Sequence, residues 1–203
     1  MVLYYILLPL AWLVFHIGFR VECVGRENLK KVQTGGCILA PNHVSAIDPV
    51  FVVITRFWGR RMIVFAKKEL FEINAFLSWF FRCAGAMCVR GTKEEAAVID
   101  ETVARCQNGE SLLIFPEGTR YKGEEGGAGE FKAGAFRIAI KTGAPVVPVA
   151  ISGARGLFEG HGNRATPGSI YIRILPPIQT VGMSKAEQKQ LPDACLLYTS
   201  PSP

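Results

Sequence analysis

The 203-residue chain contains six cysteines, at 23, 37, 83, 88, 106 and 195, yet no Cys-x-x-Cys pair, and no histidine stands at metal-ligand spacing from them. The thiols therefore read as reduced, buried side chains rather than ligands or a disulfide framework. There is no Gly-x-Ser-x-Gly elbow, which removes the usual scaffold of a covalent serine hydrolase. The Gly- and Glu-rich stretch from Glu124 to Gly129 lacks the Gly-Lys-Ser/Thr ending of a phosphate-binding P-loop and reads as a flexible surface loop. Basic residues come in pairs (Lys30-Lys31, Arg60-Arg61, Lys67-Lys68) without a long run, so the net charge of +6 points away from nucleic acid and towards phosphorylated small molecules and an anionic membrane surface. Asp, Glu, Lys and Arg are all missing between Val2 and Phe19. Eighteen helical residues extend about 27 Å, close to the thickness of a bilayer's hydrocarbon. No cation precedes this run and no small-x-small cleavage site follows it, which argues against a secretory signal. Tyr4, Tyr5 and Trp12 suit an interface, while Pro9 and His16 leave both a spanning and an interfacial helix open. Arg20 and the cations after it favour the cytoplasmic side.

With 49% hydrophobic and 20% charged residues, the chain has the means to bury a core, and it shows neither a repeat nor a linker. Short apolar runs bounded by Gly and Pro predict strands at Arg20–Val24, Cys37–Ala40, Arg61–Ala66, Met87–Val89, Ser111–Phe115, Val146–Ile151 and Ser169–Leu175. Helices intervene. Thr92 and Glu95 form a capping box ahead of Ala96, Ile99, Val103 and Cys106, and Gly109 ends that helix. Phe131–Lys141 stops at Gly143, Phe76–Phe81 is strongly apolar, and Ser184 with Glu187 starts a last helix. The stretch Phe71–Phe81 reads equally as an apolar face for a membrane interface or groove, or as a core helix. This alternation predicts an α/β fold, a mixed and largely parallel sheet flanked by helices, with an N-terminal membrane-associated helix. The expected organisation is a membrane-associated segment over 1–19 and one α/β domain over 20–183. Over 184–203 we expect a truncated helix, interrupted at Pro192, followed by a non-native tail without a placeable pattern.

Chemistry concentrates in four blocks. Asn42-His43-Val44-Ser45-Ala46-Ile47-Asp48-Pro49 follows an apolar strand. Asp48-Pro49 reads as N-cap and N1, and Ser45 with Asp48 offers a cap one turn earlier. Within one helix, residues five apart point about 140° away from each other. A strand-to-helix turn instead lets His43 fold back, so that Asp48 accepts from Nδ1 and leaves Nε2 as a base. The second block, Phe115-Pro116-Glu117-Gly118-Thr119-Arg120, is a strand running into a tight turn. Its glycine permits positive φ or a close ligand approach, and its arginine offers a planar fork of donors for a phosphate. Gly85–Gly91 is a short strand ending in Arg90-Gly91, and Ala144–Gly153 is an apolar strand carrying Pro145 and Pro148.

In this order the four blocks resemble the glycerolipid acyltransferase family, on the branch that acylates 1-acyl-glycerol-3-phosphate. Val24-Gly25-Arg26-Glu27-Asn28, Ala66-Lys67-Lys68-Glu69-Leu70 and Phe131-Lys132-Ala133-Gly134 also look like that family, and the likeness covers residues 20 to about 180. The resemblance implies that His43 is the general base for the acceptor's sn-2 hydroxyl, with Asp48 orienting it, and that oxygen then attacks an acyl thioester. It implies that Glu117, Gly118, Thr119 and Arg120 hold the acceptor, with Arg90 and Lys67 as further candidates for its phosphate. Acyl-CoA or acyl-carrier protein would be the donor, a lysophospholipid the acceptor and the lipid membrane a partner, without metal or cofactor. The expected place is the inner (cytoplasmic) membrane, with the active site facing the cytosol. Other lysolipid acceptors such as lyso-ornithine lipid, an ester hydrolase and a non-catalytic membrane-binding protein are the competing readings.

Overall fold

The computed structural model describes residues 16–32, 36–55, 62–83, 85–90, 95–124, 127–162 and 164–199, with residues 6, 9, 12 and 13. Seven strands form one sheet, β1 (Phe19–Val24), β2 (Ile38–Pro41), β3 (Met62–Lys67), β4 (Ala86–Arg90), β5 (Ser111–Leu113), β6 (Val146–Ser152) and β7 (Gly168–Ile174). Their order is β1-β7-β6-β2-β5-β3-β4. Neighbours run parallel except β6 and β7, which pair antiparallel from Val149↔Ile174 to Ser152↔Tyr171. The predicted mixed, largely parallel sheet is the observed one, and every predicted strand has its counterpart.

The crossover from β2 to β3 and the crossover from β5 to β6 travel in opposite directions along the sheet. Crossovers of one hand then put their helices on opposite faces. Helix α2 (Asp48–Thr55) packs Phe51, Val52 and Ile54 against Leu39, Val147 and Val149 on one face. On the other, α5 (Glu95–Gln107), α6 (Ala133–Thr142) and α8 (Lys185–Thr199) bring Val103, Phe136 and Leu191 onto Ile38, Ala40 and Val146. A strand covered on both sides is apolar throughout, and every residue of β2 is buried. Towards the other edge the pattern alternates. Ile170, Ile172 and Ile174 of β7 face the core, while Tyr171 and Arg173 are exposed. The reversal of direction between the two crossovers opens a crevice at the carboxyl ends of β2 and β5, the place where open α/β sheets bind ligands. The helices α1 (Arg26–Lys30), α3 (Lys68–Glu72), α4 (Ala75–Cys83) and α7 (Ala154–Leu157) and a 3₁₀ turn (Glu159–His161) complete the described elements.

Helix ends follow their signals. Gly143 takes φ 70° at the close of α6, and the Ser184 and Glu187 backbone N–H groups donate to each other's side chains at 2.7 and 3.3 Å ahead of α8. Thr92 of the other capping box lies outside the described residues, and α5 begins at Glu95. One expectation fails. Pro192 does not interrupt the last helix, which continues to Thr199. The proline removes one backbone hydrogen bond and crowds the preceding turn, but Leu191 and Cys195 on either side of it are 1% and 0% exposed in the core, and their burial offsets the loss. Among the described residues Cys37, Cys106 and Cys195 are buried, and burial pushes the Cys106 thiol up to about 11 and that of Cys195 to about 12. Among the described residues no helix is long and apolar enough to cross a membrane. Of the segment over 1–19, residues 6, 9, 12, 13 and 16–18 are helical, and the rest before Phe19 lies outside the described residues.

Candidate active site

Where β2 ends, the backbone turns under tight control. Asn42, fully buried, copies a strand neighbour with its side-chain amide: Nδ2 donates to the Ile151 carbonyl at 3.0 Å and Oδ1 accepts from the Ile151 N–H at 2.7 Å. Nδ2 also donates to the Gly127 carbonyl at 3.1 Å, so the Gly- and Glu-rich loop is pinned at that point. His43 follows. Its Nδ1 lies 3.0 Å from Asp48 Oδ2, and its ring stacks on Phe115 at 4.0 Å between centroids. Asp48 opens α2, but its carboxylate points backwards instead of capping the helix. The same Oδ2 accepts the N–H groups of Val44 at 2.8 Å and Ser45 at 2.7 Å. The strand-to-helix turn brings imidazole and carboxylate together as the spacing requires. Pro49 in the first turn sacrifices no hydrogen bond. Burial pushes the Asp48 carboxyl above its ordinary range, against the pull of His43 and the Ser45 and Val44 N–H groups.

Strand β5 leads into the second block beside this loop. The Gly118 N–H closes a turn onto the Phe115 carbonyl at 3.0 Å, and Gly118 adopts φ 70°, a conformation that disfavours any residue with a Cβ. The Tyr121 N–H donates to the His43 carbonyl at 2.7 Å, so the two blocks share a backbone bond. Glu117, expected among the groups holding the acceptor, is 4% exposed and faces inward, where Oε1 accepts the His43 N–H at 3.0 Å. It supports the Asn42–Asp48 loop from beneath. Burial raises its carboxyl above the ordinary range, opposed by the His43 and Gly129 N–H groups.

A groove of about 1700 Å³ runs along this rim, with His43, Gly118, Thr119, Arg120 and Lys67 on its surface. Its floor is apolar, through Val50, Val53, Ile54, Val64 and Phe65. Pockets for drug-sized ligands hold ~300–1,000 Å³, so this space suits two substrates or one long chain. Lys67 ends β3, and the Arg90 backbone pairs with it from β4. The Arg90 side chain lies outside the described residues.

Two residues that brace these loops carry no signal in the sequence. Arg155 of α7 donates Nε to the Val44 carbonyl at 3.4 Å and its two terminal nitrogens to the carbonyls of Tyr121 and Gly123, binding the catalytic loop to the loop after Arg120. Glu159 accepts Ser45 Oγ at 2.6 Å, the Ala46 N–H at 2.8 Å and Arg120 Nη1 at 3.0 Å. Both follow Gly153, whose φ of 90° leaves no room for a Cβ, since one would meet the Ser169 carbonyl oxygen at 2.5 Å. Arg155 and Glu159 lie beyond the carboxyl end of β6, the side on which open α/β sheets gather ligand-binding groups.

Residues 20–152 match the family model described as Acyltransferase. The 1-acyl-sn-glycerol-3-phosphate acyltransferase of Borreliella burgdorferi is 29% identical over 86% of this chain and 68% of its own length. That of Saccharomyces cerevisiae is 33% identical over 83% of this chain and 55% of its own. That of Escherichia coli is 29% identical over 88% and 70%. The chain thus spans about half to two thirds of these relatives. The crystal structure of the 1-acyl-sn-glycerophosphate acyltransferase PlsC from Thermotoga maritima superposes with a TM-score of 0.71 at 27% identity, covering 89% of this chain and 70% of that one. With its family match extending from β1 through β6, and with His43, Asp48 and Arg120 gathered at one rim of the same fold, the chain belongs to the acyltransferase family.

Proposed function

We propose that this protein transfers a fatty-acyl group from an acyl thioester, acyl-CoA or acyl-carrier protein, to the sn-2 hydroxyl of 1-acyl-glycerol-3-phosphate, giving phosphatidate. The observation that carries the reading is the His43–Asp48 pair at 3.0 Å, placed at the mouth of a groove that also exposes Arg120 and Lys67. Asp48 engages Nδ1 and leaves Nε2 for the acceptor. His43 takes the hydroxyl proton through Nε2 as the oxygen attacks the thioester carbonyl. The C–S bond then breaks, and His43 returns the proton to the departing thiolate. Base catalysis of this kind contributes about 10²–10⁴ in rate, and the remainder comes from holding the two substrates together.

Arg120 and Lys67 supply positive charge for the acceptor's phosphate, with Gly118 allowing close approach to the backbone and Thr119 beside it on the same surface. Arg90 is assigned to the same phosphate from its place at the end of β4. The apolar floor takes an acyl chain, each buried methylene adding about 0.8 kcal/mol. The membrane is the partner that presents such a lipid, and exposed apolar side chains support that assignment: Ile6, Trp12, Leu13 and Ile17 at the N-terminal end, with Ile73 and Trp79 around α4. We place the enzyme on the inner face of the cytoplasmic membrane, its groove open to the cytosol where thioester donors are made. The deciding experiment is an acyl-transfer assay with lysophosphatidate and each donor, on the wild type and on His43→Ala. Transfer by the wild type alone is expected, and equal transfer by both proteins overturns the mechanism.

A further inference from the structure

The function proposed above needs Arg120 to meet a phosphate, yet the side chain of Arg120 is 50% exposed, a long and mobile group in water unless something holds it. What holds it is Glu159. One oxygen of that carboxylate, Oε1, accepts both the Ala46 N–H at 2.8 Å and Arg120 Nη1 at 3.0 Å, and Oε2 accepts Ser45 Oγ at 2.6 Å. Ser45 and Ala46 lie between His43 and Asp48 in the catalytic loop. The 3₁₀ turn that carries Glu159 is itself closed, by the His161 N–H on the Phe158 carbonyl at 3.2 Å and by His161 Nδ1 on the Gly156 carbonyl at 2.8 Å. A guanidinium has five donors, and Glu159 engages one of them.

We propose that Glu159 is a positioning residue that sets acceptor selectivity. By tying the catalytic loop and Arg120 to one carboxylate, it fixes the separation between the base at His43 and the remaining donors of Arg120. That separation is matched to the distance between the acceptor's sn-2 hydroxyl and its phosphate. Burial alone would raise the Glu159 carboxyl, but Ser45, Ala46 and Arg120 together hold it below its ordinary range, so it stays ionised at neutral pH. Its charge offsets that of Arg120, and Lys67 on the same groove surface supplies the additional positive charge the phosphate requires. This inference rests on the proposed function, and its test separates the two.

The experiment measures steady-state kinetics of the full chain with one acyl-CoA and two acceptors, lysophosphatidate and 1-monoacylglycerol, which lacks the phosphate. In Glu159→Ala, KM for lysophosphatidate rises about tenfold, the loss expected of one charge-assisted hydrogen bond. KM for the donor stays within about threefold of wild type, and kcat/KM falls by a larger factor with lysophosphatidate than with monoacylglycerol, which shares only the loss at the His43 loop. Glu159→Gln, whose amide can keep all three contacts, recovers most of the loss. Glu159→Asp, one methylene too short to span the loop and the arginine, behaves like alanine and serves as the test should Glu159→Ala fail to fold. An unchanged or lowered KM for lysophosphatidate in the alanine and aspartate variants overturns the assignment, as does an equal loss with both acceptors. A wild type that does not acylate lysophosphatidate overturns the proposed function itself.

Discussion

The loop from Asn42 to Asp48 and the cationic rim around Arg120 face the same groove but are held very differently. In the loop, Asn42 is clamped to β6, the His43 N–H rests on Glu117, its carbonyl receives Tyr121, and Asp48 gathers the imidazole with two backbone N–H groups. Asn42, Ser45 and Asp48 are each 0% exposed. On the rim, the side chain of Arg120 is half exposed and Lys67 is exposed. The difference follows from the two tasks proposed for them. A proton transfer requires heavy atoms within about 2.6–3.2 Å, so the base must be immobile before substrate arrives. A phosphate is recognised by charge over a longer range, so the single tether to Glu159 suffices for half-exposed Arg120, and Lys67 can close on the phosphate once it binds.

The contrast can be broken from the loop side first. Substituting His43→Ala removes the base, and kcat should fall by about 10³–10⁴ while thermal melting stays near wild type. Retained turnover would move the chemistry elsewhere. Asp48→Asn keeps the shape but presents an amide to two backbone N–H groups and frees the tautomer of His43, so kcat should drop by about 10²–10³ with a measurable loss of stability. Asn42→Ala touches no substrate. It leaves the Ile151 N–H and carbonyl without their buried partner, which predicts about 2–4 kcal/mol of destabilisation in denaturant titration and a lower kcat from a loosened His43. On the rim the effect should be smaller and of another kind. Arg120→Ala is expected to raise KM for lysophosphatidate by about tenfold with little change in kcat. An Arg120→Ala variant whose kcat falls as far as that of Asp48→Asn would show that the two regions are not separable.

Much of this arrangement is legible in the residues alone. The strands show as short apolar runs because a sheet covered on both faces needs no alternation, and His43 with Asp48 announces a turn because their spacing defeats a helix. Gly118 and Arg120 stand out as residues suited to a tight turn and a phosphate. Glu159 and Arg155 do not stand out. Each lies more than a hundred positions from its partners in the catalytic loop, on a short helix or single turn that no periodicity marks, and only the meeting of β2, β5 and β6 at one rim gives them a role. Glu117 was legible as chemistry but not as direction, since a strand running into a turn does not reveal which side chain turns inward. Pro192 misleads for a related reason, because local propensity cannot see that Leu191 and Cys195 are core residues.

The buried cysteines bear on how such a protein would tolerate the thioester donor proposed for it. A thioester is an acylating reagent, and a thiolate anywhere nearby would exchange with it and become acylated in turn. Burial holds the Cys106 and Cys195 thiols at about 11 and 12, well above neutral pH, so both stay protonated and unreactive while the activated chain waits for its alcohol. The same packing that seals these side chains into the core thus keeps them from diverting the acyl group onto the protein.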